Sequence, residues 1–202
     1  MSAPPFIYLA SQSPRRRQLL EQIGVPFELL LPDADEDAEA LEAERAGESP
    51  DEYVARVTTA KLDAALARLQ RRNWASAPVL CSDTTVAMGR RILGKPLDEA
   101  DALATLQLLS GRTHRVITAV AVASDGRRWQ TSSVSEVDFA EVPTATLQRY
   151  IASGEPFGKA GAYAIQSLAS AWISRIEGSY SGIMGLPLFE TAQLLSNCGF
   201  EF

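Results

Sequence analysis

The sequence holds few of the residues on which several kinds of chemistry depend. It has two cysteines, Cys81 and Cys198, far apart in 202 residues, and one histidine, His114. Two isolated thiols cannot build a metal cluster, and a chain of this length can bury a sizeable core without a disulfide staple, so a reducing compartment, the cytoplasm, is the expectation. A single histidine excludes a multi-histidine zinc site, and His114 is expected to be structural. No stretch approaches the roughly 18 apolar residues that a spanning helix needs, and Met1–Ala10 lacks the basic start of a secretory leader. Neither secretion nor a membrane partner is expected. Positive charge is also short: 19 Lys and Arg stand against 25 Asp and Glu, a formal net charge of −6. That balance opposes binding to a nucleic-acid polymer, which requires cations to neutralise phosphates. Aromatics make up 7% of the chain, and Trp74, Trp129 and Trp172 are dispersed, which suits packing better than a base-stacking platform.

What remains is an ordinary globular composition, 46% hydrophobic and 22% charged. Phe6–Ala10 reads as a short buried strand. Ser13 and Pro14 then open a helix that carries Leu19, Leu20 and Ile23 inward and stops at Gly24 and Pro26. A strand is expected over Phe27–Leu31, then an acidic mobile loop or frayed helix over Asp33–Glu48. Ser49-Pro50-Asp51-Glu52 forms a capping box for a helix to about Arg72. Pro78–Asp83 is a strand continuing through Thr84–Met88, Gly89 turns, and Ile92–Lys95 returns. Asp98 caps a helix stopped at Ser110-Gly111. Asp125-Gly126 marks a hairpin between Val116–Val122 and Arg127–Phe139. Helices over Thr144–Ala152 and Leu188–Ser196 flank a glycine-rich loop at Lys159–Gly161 and a strand at Ala171–Ile176. Strands alternating with helices, with one clear hairpin, argue an α/β fold with a mixed sheet. No repeat, linker or low-complexity tract interrupts residues 1–202, which read as one domain.

Three local features point to chemistry. Arg15-Arg16-Arg17 places cations in the first turn of a helix, where the helix dipole is already positive. Either the side chains form a solvated basic face, or an anion sits there on free backbone N–H groups, the hydroxyls of Ser11 and Ser13, and the guanidiniums. Successive residues lie about 100° apart on a helix, so all three arginines cannot face one ligand. Lys61 falls on the apolar face set by Val54, Val57 and Ala65, where an ammonium must be paired, bound to a ligand, or led out to water along its stem. Arg68 lies near the same face but close to the helix end, where it is expected to snorkel. Asp83 stands at the polar end of a strand in Cys-Ser-Asp-Thr-Thr, able to accept a proton from water, hold a divalent metal or cap a turn. Lys95 is either a phosphate contact or an exposed loop lysine. Asp35 and Glu36 stand out of the acidic run only because they follow a strand, and Cys81 reads as core.

Leu9-Ala10-Ser11-Gln12-Ser13-Pro14-Arg15-Arg16 resembles the opening motif of the Maf family of nucleotide pyrophosphatases. The likeness continues through Asp35-Glu36, Ala60-Lys61, Ser82-Asp83-Thr84, Gly94-Lys95-Pro96, Ser110-Gly111-Arg112-Thr113-His114, Lys159-Ala160-Gly161-Ala162-Tyr163 with Gln166, and Gly185-Leu186-Pro187, in family order over essentially the whole chain. The resemblance implies an elongated mixed twisted sheet with flanking helices and two lobes around a central cleft, of the Maf/ITPase-like kind, often as a homodimer. It implies hydrolysis of a free nucleoside triphosphate to the monophosphate and pyrophosphate with Mg²⁺ or Mn²⁺. By the same resemblance Asp83 is the proton acceptor and a metal ligand with Glu36, and Ser11, Arg15, Arg16, Lys61 and Lys95 bind the substrate. The Lys-Ala-Gly-Ala-Tyr segment with Gln166 is similar to the dTTP/UTP-hydrolysing branch, in which the positions of Arg15, Thr84 and Gln166 are tied to specificity. A glutamine amide suits the N3–H and a carbonyl of uracil or thymine. Arg17 lies outside the motif, and Gln12 replaces a common glycine or asparagine. The alternatives are another modified nucleotide, such as 7-methyl-GTP, and a non-catalytic module in cell division.

Overall fold

The register between two parallel strands decides where the molecule opens. In a computed structural model that describes residues 6–34, 36–37 and 39–202, β1 (Ile7–Leu9) pairs in parallel with β2 (Phe27–Leu29) and with the start of β3 (Val79–Met88). Leu9 lies beside Leu80, so β3 continues as Cys81-Ser82-Asp83-Thr84 beyond the point where β1 ends. Past β1 the chain turns through Ser11 into α1 (Pro14–Gln22). Helix starts and carboxyl ends of parallel strands converge at such an edge, and ligands bind there.

The sheet is mixed and seven-stranded, in the order β2-β1-β3-β5-β6-β7, with the short β4 (Arg91–Leu93) also on β3. The hairpin of β5 (Thr113–Ser124) and β6 (Arg127–Phe139) turns at Asp125-Gly126, and both turn residues adopt positive φ, as its tight turn requires. The last strand, β7 (Ile173–Glu177), pairs with the far end of β6. It starts two residues later than its pattern suggested, because Leu168–Trp172 coils into a 3₁₀ turn first.

Alternation along the strands sends two sets of side chains to two helical layers. On one face Val79, Cys81, Ala121 and Ala123 meet Leu62 and Ala65 of α2 (Pro50–Arg71), and Ile117 and Ala119 meet Val54 and Val57. Small alanines under α2 let the helix lie close to the strands. On the other face Leu80, Val86, Val120 and Val122 join a larger core with α1, α3 (Glu99–Leu109), α4 (Thr144–Ala152) and α6 (Leu188–Ser196). A five-residue helix, α5 (Tyr180–Met184), has no counterpart in the sequence reading: it is too short for a periodicity, although Ser179 caps it and Gly185 ends it. The α2 capping box forms as expected, with the Ser49 hydroxyl accepting from Glu52 N–H and the Glu52 carboxylate from Ser49 N–H.

The segment Gly158–Gln166 is pressed onto β3. Gly161 and Ala162 both hold positive φ, +69° and +61°, and a Cβ on Gly161 would stand 2.9 Å from both γ-methyls of Val86. Close approach and left-handed backbone together require glycine there. Behind it, the buried His114 shares a 2.8 Å hydrogen bond through Nε2 with the Tyr163 hydroxyl and packs edge-on to Phe139. Burial pushes the His114 imidazole down to about 4, so the ring is neutral in the fold.

Gly161→Ala is expected to destabilise the protein by roughly 1–3 kcal/mol, from backbone strain and the Val86 overlap, read as a lower urea midpoint. The His114 shift gives a second expectation. Its folded value lies below the ordinary 6.5, so the unfolded chain binds the extra proton. Stability is full above about pH 6.5 and falls as pH drops towards 4. Because the chain has one histidine, urea unfolding at stepped pH should lose this slope between pH 6.5 and 5 in His114→Gln.

Candidate functional site

The pleat of β3 divides the site between the two faces of the sheet. Cys81 and Asp83 point towards α2, while Ser82 and Thr84 point towards α1 and the turn after α5. The two sets open into one cavity of about 770 Å³, whose lining includes Ser11, Arg16, Lys61, Asp83, Lys95 and Gln166. Arg15, Thr84 and Glu36 also line it, so the expected site residues all reach one space. Arg17 does not line it, in line with its place outside the motif. Asp35 lies outside the described residues.

On the α1 side, Arg16 is held from three directions. Its Nε donates to Gly185 O at 2.7 Å, Nη1 to Ser11 Oγ at 3.1 Å and Nη2 to Thr84 Oγ1 at 3.4 Å. Thr84 is fixed in turn by Thr118 Oγ1, which donates at 2.9 Å, and Ser82 donates to the same Gly185 carbonyl at 3.0 Å. Gly185 adopts φ +116°, a backbone conformation that side-chain-bearing residues rarely adopt, so the turn that reaches the strand here favours glycine. Arg15 Nε donates to Met184 O at 3.3 Å. Burial pushes both guanidiniums below their ordinary value, and for Arg16 the neighbouring Asp83 partly counters it. Ser13 occupies the N-cap position without a side-chain cap bond: its own N–H donates to Ser11 Oγ at 3.2 Å, and its buried hydroxyl has no partner among the described residues. A helix start with a free hydroxyl and fixed guanidiniums is an anion site in the physical sense.

On the α2 side, Lys61 is part-buried, as its place on the apolar face predicted, and is paired rather than led out to water. Its Nζ lies 2.5 Å from Asp83 Oδ1 and 2.7 Å from Glu42 Oε1. Asp83 lines the cavity, and its Oδ2 makes no hydrogen bond among the described residues. Lys95 reaches the same Glu42 carboxylate, Nζ to Oε2 at 2.7 Å. Burial pushes the Glu42 carboxyl up, but Lys61 and Lys95 outweigh it and hold it below its ordinary value.

Three expectations change here. Arg68 does not snorkel: it is 4% exposed, with Nε and Nη2 on Glu36 at 2.9 and 2.6 Å and Nη1 on Leu30 O at 2.9 Å. The cost of burying the guanidinium is offset by a bidentate carboxylate. Glu36 is accordingly occupied, with Oε1 also on Arg71 at 2.6 Å, and the Arg68 hydrogen bonds bring its carboxyl down to about 2. The acidic segment is not a loose loop where it meets the site: Ala40–Glu42 is a 3₁₀ turn, tied by Tyr53 Oη to Glu42 O at 2.9 Å. Glu42 and Lys159, which also lines the cavity, were missed. Lys159 is the first residue of the lysine-alanine-glycine segment and donates to Glu155 O; burial lowers its ammonium, with Arg15 adding to it. Glu42 sits in a run without periodicity, and no sequence signal distinguishes it from its neighbours.

Hard carboxylate oxygens for a divalent cation exist at Asp83, while no group of three His, Cys, Asp or Glu suited to a metal comes together among the described residues. Asp83 alone therefore suits a cation that arrives with phosphate oxygens of its own, the usual arrangement for Mg²⁺ with nucleotides. No helix among the described residues is long and apolar enough to cross a membrane.

Comparison with known proteins bears on the whole chain. A family model described as "Maf-like protein" matches residues 6–198. A dTTP/UTP pyrophosphatase of Albidiferax ferrireducens is 63% identical over 196 residues, covering 97% of this chain and 98% of that one. Those of Cupriavidus metallidurans and of a Polaromonas species are 61% and 59% identical over 98% and 100% of this chain, and over the same shares of their own. With its opening motif at the start of α1, Asp83 and Lys61 in contact across the α2 seam, and this agreement from end to end, the chain belongs to the Maf family.

Proposed function

We propose that this protein is a nucleoside triphosphate pyrophosphatase that hydrolyses dTTP and UTP, and modified pyrimidine nucleotides, to the monophosphate and pyrophosphate. The observation that carries the reading is one cavity that sets the fixed guanidiniums at the α1 start and the lysines of the α2 side around Asp83. The dTTP/UTP pyrophosphatases to which the chain is similar over 98–100% of their length support the substrate pair.

In this reading the polyphosphate lies between Arg15 and Arg16 at one end and Lys61 and Lys95 at the other. The Ser11 and Ser13 hydroxyls and the first free N–H groups of α1 meet its oxygens. These cations oppose charge that grows on the phosphate oxygens as the bond to the leaving pyrophosphate breaks. Asp83 takes the proton of the attacking water at Oδ2, the oxygen that Lys61 leaves unengaged. Lys61 fixes the carboxylate from its other side. A divalent cation, Mg²⁺ or Mn²⁺, would be held by Asp83 together with phosphate oxygens; bound there it would withdraw charge from the reacting phosphate and acidify water. Glu36, the second expected ligand, would have to share oxygens now on Arg68 and Arg71. Gln166 is exposed on the cavity wall, on the segment clamped by Gly161 and Tyr163, and its amide reads the pyrimidine edge. Thr84, fixed by Thr118, holds Arg16 in place, and Arg15, Thr84 and Gln166 are the positions that set specificity. The protein acts as one domain of two lobes on free nucleotide in the cytoplasm, as a homodimer, without a nucleic-acid polymer or a membrane as partner.

Asp83→Asn keeps the shape and removes the base. Pyrophosphate release should fall by about 10²–10⁴-fold, while a non-hydrolysable triphosphate analogue still binds within a few-fold; turnover within tenfold of wild type would overturn the assignment. Gln166→Glu should erase the preference for dTTP and UTP in a pyrophosphate-release screen over the common triphosphates. Unchanged selectivity would remove the amide from base reading.

A further inference from the structure

Glu42 belongs to none of the motifs above, yet its carboxylate bridges two of the lysines that line the cavity, Lys61 and Lys95. Its two carboxylate oxygens each lie 2.7 Å from a different ammonium, Oε1 from Lys61 and Oε2 from Lys95. One anion spanning two cations in this way is what a phosphate group would do in the same place. The contact is not left to a free side chain. The turn bearing Glu42 is held by Tyr53 Oη on the Glu42 carbonyl and by Arg56, which donates to Leu41 O at 3.4 Å and Ala43 O at 2.9 Å. Arg56 is itself fixed by both oxygens of Glu48 at 2.5 and 2.7 Å. Three side chains, Tyr53, Arg56 and Glu48, thus cooperate to deliver one carboxylate to the lysines.

We propose that Glu42 is an internal competitor for the polyphosphate seat: it occupies the place between Lys61 and Lys95 until substrate displaces it, and reclaims that place as pyrophosphate leaves. The inference rests on the reading that these lysines bind phosphate. Physically, the exchange keeps the part-buried Lys61 from losing one of its two counter-charges between turnovers. It also weakens every ligand that needs the seat, because the apparent dissociation constant is the intrinsic one divided by the fraction of molecules in which the seat is open. A closed state favoured ten to one raises it roughly tenfold. Weak retention of pyrophosphate is useful in an enzyme whose product shares the anionic groups of its substrate.

The test is calorimetric binding of inorganic tripolyphosphate to the full chain without divalent cation. Glu42→Gln should bind roughly tenfold tighter than wild type. Glu39→Gln removes an equal charge 3.8 Å from Lys95 on a side chain that is 87% exposed, and should change affinity less than twofold. Tyr53→Phe, which only loosens the turn, should tighten binding by a smaller factor and stands in if Glu42→Gln does not fold. The gain from Glu42→Gln should vanish when Lys95→Ala is added. Unchanged or weaker binding by Glu42→Gln, with Lys95→Ala weakening it, overturns the competitor and leaves the phosphate seat standing. An equal gain in Glu39→Gln reduces the effect to net charge and also overturns it. If neither Lys61→Ala nor Lys95→Ala weakens binding, the phosphate seat and the competitor fall together.

Discussion

A lysine ammonium carried into the apolar seam between α2 and the sheet has to be neutralised where it lies, and much of the site follows from how that is done. Lys61 is paired with Asp83 of β3 and with Glu42 of the preceding segment. About two turns further along the same face of α2, Arg68 is buried and takes Glu36 in two hydrogen bonds. One helix face therefore presents two cations to the segment that enters it. Glu36 and Glu42, which lie in an acidic run without any periodicity of its own, are placed by these anchor points rather than by local propensity. Removing Arg68 would leave Glu36 to the more exposed Arg71, and removing Lys61 would take from Asp83 the ammonium 2.5 Å away, a larger loss than that of an exposed ion pair.

The second ordering element is the pleat. Neighbouring residues on a strand point to opposite faces, so Asp83 and Thr84 serve two different neighbourhoods although they are consecutive. Asp83 answers α2. Thr84 and Ser82 answer the α1 start and the glycine turn that closes α5. A one-residue slip of β3 would exchange these sets and place the carboxylate against Arg16 and the Gly185 carbonyl. The nine-residue pairing of β3 with β5, from Val79 opposite Ala123 to Ala87 opposite Arg115, prevents that slip far from the site. The long hairpin is thus the ruler by which Asp83 is placed, and β1 contributes by ending early.

The features legible in the sequence were those with local causes. The α2 capping box, the Asp98 cap, the Asp125-Gly126 hairpin and the bounds of α4 and α6 all rest on signals within a few residues of the event. Lys61 was visible because an ammonium on an apolar face breaks a helical pattern. Arg68 broke the same pattern, but its nearness to the helix end offered a simpler escape, and only the position of Glu36 in space decides against it. Glu42 had no pattern to break. Its role depends on Tyr53 and Arg56 of α2 folding back on the turn, a long-range arrangement that composition cannot encode. The catalytic reading of Asp83 came from resemblance; position on the strand alone left base, metal ligand and turn cap equally open.

Net charge takes on a different meaning once the site is assembled. A chain at −6 gains nothing from attracting polyanions over its whole surface, so attraction must be confined to the cavity. There the cations are not left bare. Lys61 and Lys95 rest on Glu42, Lys61 also on Asp83, while Arg15 and Arg16 rest on main-chain carbonyls. The two ends of the cavity are prepared differently as a result. The guanidiniums keep their full charge for a ligand, since a carbonyl does not cancel it, and they are shaped in advance by Ser11, Thr84 and Gly185. The lysine end is neutralised until its carboxylate moves. In the proposed function a long polyphosphate would engage the guanidinium end first and use that contact to open the lysine end, whereas a short anion that meets the lysines alone would have no such lever. Reach along the cavity, rather than charge density, is then the property of the ligand to which this site responds.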